Sequence, residues 1–159
     1  MRRRTWTQIV KDAFLSGTLS SVSTAATAAA RGARDSGSAI AAVNAVSHIA
    51  WGSEASDVRV IDVKHTLPGL VLNTGATIFW AAIYEAAFGQ AAERGQIGKA
   101  VLGGAAVSAL AYVTDYHVVP KRLTPGWEER VSNRSLGVIY VVLALSLPAR
   151  GLLRHLSRR

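Results

Sequence analysis

Long stretches without a charged side chain restrict what this chain can fold into. They occupy residues 13–30, 36–53, 66–84, 100–114 and 135–149. A helix that crosses the hydrocarbon core of a membrane needs about 20 mainly apolar residues, and it tolerates Lys, Arg, Tyr and Trp at its ends. Charged residues make up only 18% of the chain, whereas soluble domains average about 25%. The pattern predicts a single all-α domain, residues 1–159, that is embedded in a membrane.

The prediction is an integral membrane bundle of four transmembrane helices, near residues 8–30, 66–89, 97–119 and 134–153. The first helix differs from the others because Ala, Ser, Thr and Gly make up most of it. Such residues suit close packing against other helices better than contact with lipid. The basic start of the chain and the segment TAAARGA resemble a signal peptide. Because Lys11 and Asp12 interrupt that pattern, we expect an uncleaved helix instead.

A fifth, shorter helix is predicted near residues 38–51. Its apolar part runs from Ala39 to Trp51 and is interrupted by Asn44 and His48. Apolar segments of about 10–14 residues are more often re-entrant, interfacial or buried than spanning. We therefore expect this helix to dip into the membrane or to lie on its surface.

Basic residues at the two ends of the chain indicate its orientation. They are Arg2, Arg3 and Arg4 at the amino end and Arg150, Arg154, Arg158 and Arg159 at the carboxyl end. An even number of spans places both termini on one side, and clustered arginines favour the cytoplasm. The net charge is +8, but the basic residues separate apolar stretches and form no nucleic-acid motif. We expect contacts with membrane lipids and no binding of nucleic acid.

Three segments carry a family resemblance: AVNAVSHIAWGSEA at 42–55, HTLPGLVLNTGATIFWAAIYE at 65–85, and DYHVVPKRLTPGWEERVS at 115–132. Together they resemble a group of uncharacterised small bacterial inner-membrane proteins with about four spanning helices. The resemblance implies a multi-pass topology in the bacterial inner membrane. It implies no activity and no catalytic residue.

Polar side chains recur at helical spacing on the second and third predicted spans. They are Asn73, Thr77, Tyr84 and the adjacent Glu85 on the second, and Ser108, Tyr112 and Asp115 on the third. Two such faces either line a wet path or form interhelical hydrogen bonds, each worth about 0.6–2 kcal/mol. Carboxylates at membrane depth are costly unless they are paired. For Glu85, Asp115 and Asp12 we expect a neighbouring Lys or Arg as partner.

Histidines form a second candidate constellation. Under the predicted topology His48, His65, Asp115 and His117 reach the same membrane surface. Two or three imidazoles with one carboxylate suit Zn²⁺ or another divalent ion, and two imidazoles can ligate haem. The spacing contains no HExxH motif and no histidine pair at i, i+4. Structural polar contacts are therefore favoured over a metal or haem site, and no cofactor is expected.

The sequence lacks the short motifs of common enzyme classes. It contains no phosphate-binding glycine loop, no GxSxG motif and no cysteine. We predict a non-enzymatic accessory or structural subunit in a homo-oligomer or a larger membrane complex, because the first helix is poorly matched to lipid. The alternatives are a small oligomeric channel or transporter that uses the intramembrane polar residues, and a metal- or haem-binding membrane protein.

Overall fold

The computed structural model describes residues 4–158, and over that range it is all-α, with no β-strand. Its helices are α1 (Trp6–Ser36), α2 (Ala39–Ala45), α3 (His48–Trp51), α4 (Thr66–Ala87), α5 (Gly89–Glu93), α6 (Ile97–Val113) and α7 (Asn133–Leu156). Short 3₁₀ turns occupy Ser53–Asp57, Lys121–Leu123 and Trp127–Glu129, and a π-helical turn, Thr114–Val118, extends α6. Arg2, Arg3 and Arg159, which contributed to the predicted orientation, lie outside the described residues.

The four long helices lie where the charge-free stretches predicted them. α1 begins after Thr5, whose hydroxyl accepts the backbone N–H of Gln8, and α7 begins after Ser132, whose hydroxyl accepts that of Ser135. These caps satisfy amides that have no partner within the helix. Three helices, α4, α6 with its π-helical turn, and α7, are long and apolar enough to cross a membrane. α1 has 31 residues but is not among them, so this criterion supports three of the four predicted spans.

The predicted helix at 38–51 is present as two shorter helices, α2 and α3. The break between them lies at Val46 and Ser47. The Ser47 hydroxyl donates to the carbonyl oxygen of Asn44 at 2.7 Å, and the Ser47 backbone N–H donates to the same oxygen at 2.9 Å. Serine competes in this way with the regular helical hydrogen bond, which explains why one continuous helix does not form.

α1 packs against both α4 and α7. The Ser146 hydroxyl of α7 donates to the Ser20 hydroxyl of α1 at 2.9 Å. α6 packs on the other side of α7, where the Ser108 hydroxyl donates to the carbonyl oxygen of Tyr140 at 2.6 Å. Hydrogen bonds of this kind hold neighbouring helices together where small side chains allow close approach.

The distribution of side chains in α1 is the reverse of that in a soluble protein. Its buried face comprises Asp12, Ala13, Ser16, Gly17, Ser20, Ser21, Thr24, Ala28 and Gly32. Its large apolar side chains lie on the outer surface instead, where Val10, Phe14 and Val22 are 64%, 59% and 64% exposed. Soluble proteins bury such residues and rarely expose them in long rows. The outer surface of α1 therefore suits hydrocarbon, while its polar face is covered by α4 and α7.

Residues 38–64 and 119–132 fold across the end of the bundle at which α1 ends and α7 begins, and we call them the cap. The Arg122 guanidinium donates to the carbonyl oxygens of Ile49 at 3.1 Å and Ala50 at 3.3 Å. Gly126 has a φ of +77°, and a Cβ atom there would lie 2.5 Å from the carbonyl oxygen of Ala45. Glycine thus permits the second segment of the cap to lie directly on α2.

Candidate functional site

Two polar centres occupy opposite ends of the bundle. The first, which we call the charge cluster, lies where α1 begins and where α4 and α7 end. Its members are Arg4, Asp12, Glu85, Glu93, Arg150 and Arg154. The second is a cavity beneath the cap, which we call the capped cavity. They differ in how completely their buried polar groups are paired.

Glu85 is the most deeply buried carboxylate of the charge cluster, with only 1% of its side chain exposed. It accepts hydrogen bonds from the Ser16 hydroxyl at 2.5 Å, from Arg4 Nη1 at 2.9 Å, and from Arg150 Nη2 at 3.1 Å. Donors from α7, from α1 and from Arg4, two residues before α1 begins, therefore meet at one carboxylate of α4. Charge-assisted hydrogen bonds are roughly twice as strong as neutral ones, and removing one partner of a buried ion pair leaves the other charge uncompensated.

Asp12 and Glu93 complete the pairing of the charge cluster. Asp12 is hydrogen-bonded to Arg4, and its Oδ1 atom lies 2.9 Å from Arg150 Nη1 and 3.3 Å from Arg154 Nη1. Glu93 lies 3.4 Å from Arg150 and 3.5 Å from Arg154. Each carboxylate thus contacts at least two guanidinium groups, and α1, α5 and α7 are tied together by charge.

The partners of these carboxylates are distant in the sequence. The sequence identified Glu85 and Asp12 as carboxylates that need a basic partner. It did not identify Arg4 and Arg150 as those partners. Lys11, which directly precedes Asp12 in the sequence, forms none of the ion pairs in residues 4–158. Arg150 ends a charge-free stretch at the same predicted membrane level as Glu85, and that shared level was the signal that could have identified the pair.

The capped cavity has a volume of about 80 Å³ and lies between the long helices and the cap. Its walls are formed by Thr24, Val46, Ile49, Leu72, Asn73, Ala76, Thr77, Trp80, Asp115, Leu123, Pro125, Trp127, Ile139, Tyr140 and Leu143. Three of the residues predicted from the sequence, Asn73, Thr77 and Asp115, are therefore brought together here. An apolar lining with a few converging polar groups is typical of small-molecule sites, but those sites measure about 300–1,000 Å³, so this cavity suits only a ligand of a few heavy atoms.

Asp115 is the one charged residue among those that line the capped cavity. One of its carboxylate oxygens accepts a hydrogen bond from the Tyr140 hydroxyl at 2.6 Å. None of the ion pairs in the described part of the chain involves Asp115. The basic neighbour expected for this carboxylate is thus not present in residues 4–158, in contrast to Glu85.

Aromatic rings surround this carboxylate. The ring centroid of Tyr140 lies 5.3 Å from that of Tyr112, 6.0 Å from that of Tyr116 and 6.4 Å from that of Trp127, all in edge-on arrangements. Edge-on packing suits the quadrupole of aromatic rings. Tyr112 itself is 38% exposed, so it lies on the outer side of this aromatic group.

Three polar atoms near the cap are buried and have no hydrogen-bond partner within residues 4–158. They are the Tyr116 hydroxyl, Glu128 Oε2 and Arg130 Nε. The other oxygen of Glu128 accepts a hydrogen bond from Thr124 at 2.5 Å.

The remaining predicted polar residues form contacts between helices. Tyr84 is fully buried and donates to the carbonyl oxygen of Ala100 at 3.2 Å, and Ser108 donates to Tyr140 as described above. Asn73 donates from Nδ2 to the Ser21 hydroxyl at 3.0 Å. Along α1, polar residues at every fourth position lead from the charge cluster to the cavity: Ser16, Ser20 and Thr24.

The histidines are held by separate partners. The ring nitrogens of His48 lie 2.9 Å and 3.3 Å from the carbonyl oxygens of Ala45 and Lys121. His65 Nδ1 lies 2.8 Å from Asp62 Oδ2, and this hydrogen bond lowers the pKa of the Asp62 carboxyl. His117 packs edge-on against Tyr112. Residues 4–158 contain no group of three or more His, Asp or Glu side chains that could hold a metal ion.

Comparison of the chain with models of known protein families, with curated proteins and with solved structures found no match. The resemblance to small bacterial inner-membrane proteins therefore stays an expectation.

Proposed function

We propose that the chain is a multi-pass protein of the bacterial inner membrane with both termini in the cytoplasm. It would have four spans, namely α1 in addition to α4, α6 and α7. The apolar outer surface of α1 supports this placement, since Val10, Phe14 and Val22 require an apolar environment. Its polar residues are covered within the chain. The cap then lies at the outer membrane surface, and α2 and α3 are interfacial.

We further propose that the capped cavity binds a small organic cation. The observation that carries this proposal is that Asp115 has no basic partner in residues 4–158 while it lines an apolar, aromatic-walled cavity. A half-buried carboxylate on an apolar wall is partly desolvated, and a bound cation would recover the free energy that this desolvation costs. Trp80, Trp127 and Tyr140 also line the cavity, and aromatic rings attract cations.

The polar residues of α1 favour a channel or transporter over a purely structural subunit. The hydroxyls of Ser16, Ser20 and Thr24 lie on one face of α1 between the charge cluster and the capped cavity, and each is hydrogen-bonded to a neighbouring group. The predicted accessory role in an oligomer stays a prediction. The poor lipid match of α1, on which that prediction relied, is accounted for by α4 and α7 within the same chain.

The absence of cysteine from the sequence permits a direct test by thiol labelling. A Thr77→Cys variant places a single thiol in the cavity wall, and a Ser20→Cys variant places a matched thiol in the bundle interior, where Ser20 is 0% exposed. We expect a small methanethiosulfonate to label the first variant and to leave the second unlabelled. Absence of labelling at Thr77→Cys would contradict a ligand site in this cavity.

Protection of the same thiol identifies the class of ligand. We expect tetramethylammonium to slow the labelling of Thr77→Cys, and we expect tert-butanol, which has a similar size but no charge, to have little effect. Adding Asp115→Asn to the variant removes the negative charge and should abolish the protection. Equal protection by the neutral compound would show a binding cavity that does not select cations.

A further inference from the structure

We infer that a recess beside the charge cluster binds the headgroup phosphate of an anionic phospholipid. This site is separate from the capped cavity and lies at the opposite end of the bundle. The inference uses the membrane placement proposed above, but it does not depend on the capped cavity having a ligand.

The recess has a volume of about 480 Å³. It is lined by Arg4, Thr5, Gln8, Lys11, Asp12, Gln90, Glu93, Arg154 and Arg158. Four of these side chains are basic and two are acidic, and the rest are amides or a hydroxyl. The wall is therefore rich in hydrogen-bond donors, which match the acceptor oxygens of a phosphate group.

The two acidic residues of the recess are already paired with arginines. Asp12 contacts Arg4, Arg150 and Arg154, and Glu93 contacts Arg150 and Arg154. By contrast, neither Lys11 nor Arg158 takes part in an ion pair within residues 4–158. Their positive charges are available to an anion that enters the recess.

Further positive potential comes from α1 and from Arg154. α1 begins at the recess, since its N-cap Thr5 and Gln8 both form part of the wall. The amino end of a long helix carries a partial positive charge that attracts phosphate. The Arg154 side chain remains 43% exposed although one of its nitrogens contacts Asp12 and Glu93, so its other nitrogens can donate to a ligand.

The surroundings of the recess indicate a lipid rather than free phosphate. Trp6 directly follows Thr5 and is 78% exposed, and Val10 is 64% exposed one turn later. Exposed tryptophan is typical of the headgroup layer of a membrane. Basic pockets between helices on the cytoplasmic side are recognised sites for anionic headgroups. A phospholipid whose phosphate occupies this recess would thus place its acyl chains beside apolar side chains of α1.

The test uses the full chain in nanodiscs of phosphatidylcholine that contain a minor fraction of phosphatidylglycerol, with bound lipid counted by native mass spectrometry. We expect selective retention of phosphatidylglycerol. The double variant Lys11→Gln/Arg158→Gln should reduce that retention roughly tenfold. The matched control, Arg59→Gln/Lys121→Gln, removes the same charge from the cap and should leave retention unchanged. Since Lys11 and Arg158 have no ion-pair partner in the described residues, the unfolding transition of the variant should match that of the parent.

Two outcomes would overturn the inference. An equal loss of lipid in both double variants would mean that overall charge, and not the recess, attracts the lipid. Inorganic phosphate provides the other arm of the test: if it displaces phosphatidylglycerol at similar concentrations, the site recognises phosphate without the lipid.

Discussion

The charge cluster and the capped cavity each hold a carboxylate, Glu85 buried and Asp115 half-buried, and the two carboxylates differ in how many hydrogen bonds they accept. Glu85 accepts bonds from Ser16, Arg4 and Arg150, whereas Asp115 accepts one bond, from Tyr140. A buried polar network that is fully paired makes a structure rigid, whereas a polar group that lacks a partner in a low-dielectric environment is costly. This difference is the basis for proposing a structural role for the charge cluster and a binding role for the capped cavity.

The largest expected effect comes from breaking the charge cluster. Arg150→Met preserves much of the side-chain volume but removes the cation that contacts Glu85, Asp12 and Glu93. Loss of one partner from a buried ion pair typically costs about 3–5 kcal/mol because the other charge remains uncompensated. We expect a decrease of that size in the free energy of unfolding, measured by SDS titration in mixed micelles.

A control on the same helix separates this effect from a general loss of charge. Arg134 lies in the first turn of α7, is exposed, and forms none of the ion pairs in the described residues, so Arg134→Met should change the free energy of unfolding by less than about 0.5 kcal/mol. Equal losses in the two variants would show that the charge cluster has no special role in stability.

The next effect concerns the cap. Gly126→Ala introduces a side chain at positive φ, which costs roughly 1–2 kcal/mol, and its Cβ atom would also collide with the carbonyl oxygen of Ala45. We expect a loss of about 2–3 kcal/mol in the free energy of unfolding. The thiol of Thr77→Cys should react several times faster in this background, since a displaced cap exposes the cavity.

Gly37→Ala is the matched control for this prediction. Gly37 also has a positive φ, of +73°, but no atom lies within 4 Å of the Cβ position there. This variant should lose only the roughly 1–2 kcal/mol of backbone strain, and the labelling rate at Thr77→Cys should stay the same. A faster rate in both variants would mean that strain alone opens the cavity and that the cap does not close it.

The sequence predicted the long helices well because the signal is local. A charge-free stretch of spanning length is visible in a short window, and so is the polar spacing of Asn73 and Thr77 on α4. Which face of α1 is buried could also be read from its small residues at every third and fourth position. These features depend on neighbours within a few turns of one helix.

Contacts between segments that are far apart in the sequence could not be predicted in the same way. The hydrogen bond between Arg122 and the carbonyl oxygen of Ile49 joins residues far apart in the chain, and no periodic pattern in the sequence predicts it. The turn at Val46 and Ser47 likewise depends on a side-chain hydrogen bond that a hydrophobic pattern does not encode. For this reason the cap, and with it the enclosure of Asp115, emerged only from the structure.

The smallest expected effect tests the comparison most directly. Asp115→Asn keeps the shape of the side chain and the oxygen that accepts the Tyr140 hydroxyl, and no ion pair is lost in the described residues. We therefore expect the free energy of unfolding to change by less than about 1 kcal/mol. The same chemical change in the charge cluster, Glu85→Gln, leaves Arg4 and Arg150 with less compensation and should cost about 3 kcal/mol or more.

Both variants are measured in the same micelles. If the two losses are equal, Asp115 is a structural carboxylate and the distinction between the two ends of the bundle is wrong. A small loss at Asp115, together with lost protection by tetramethylammonium, would instead show that this carboxylate contributes to binding and not to folding.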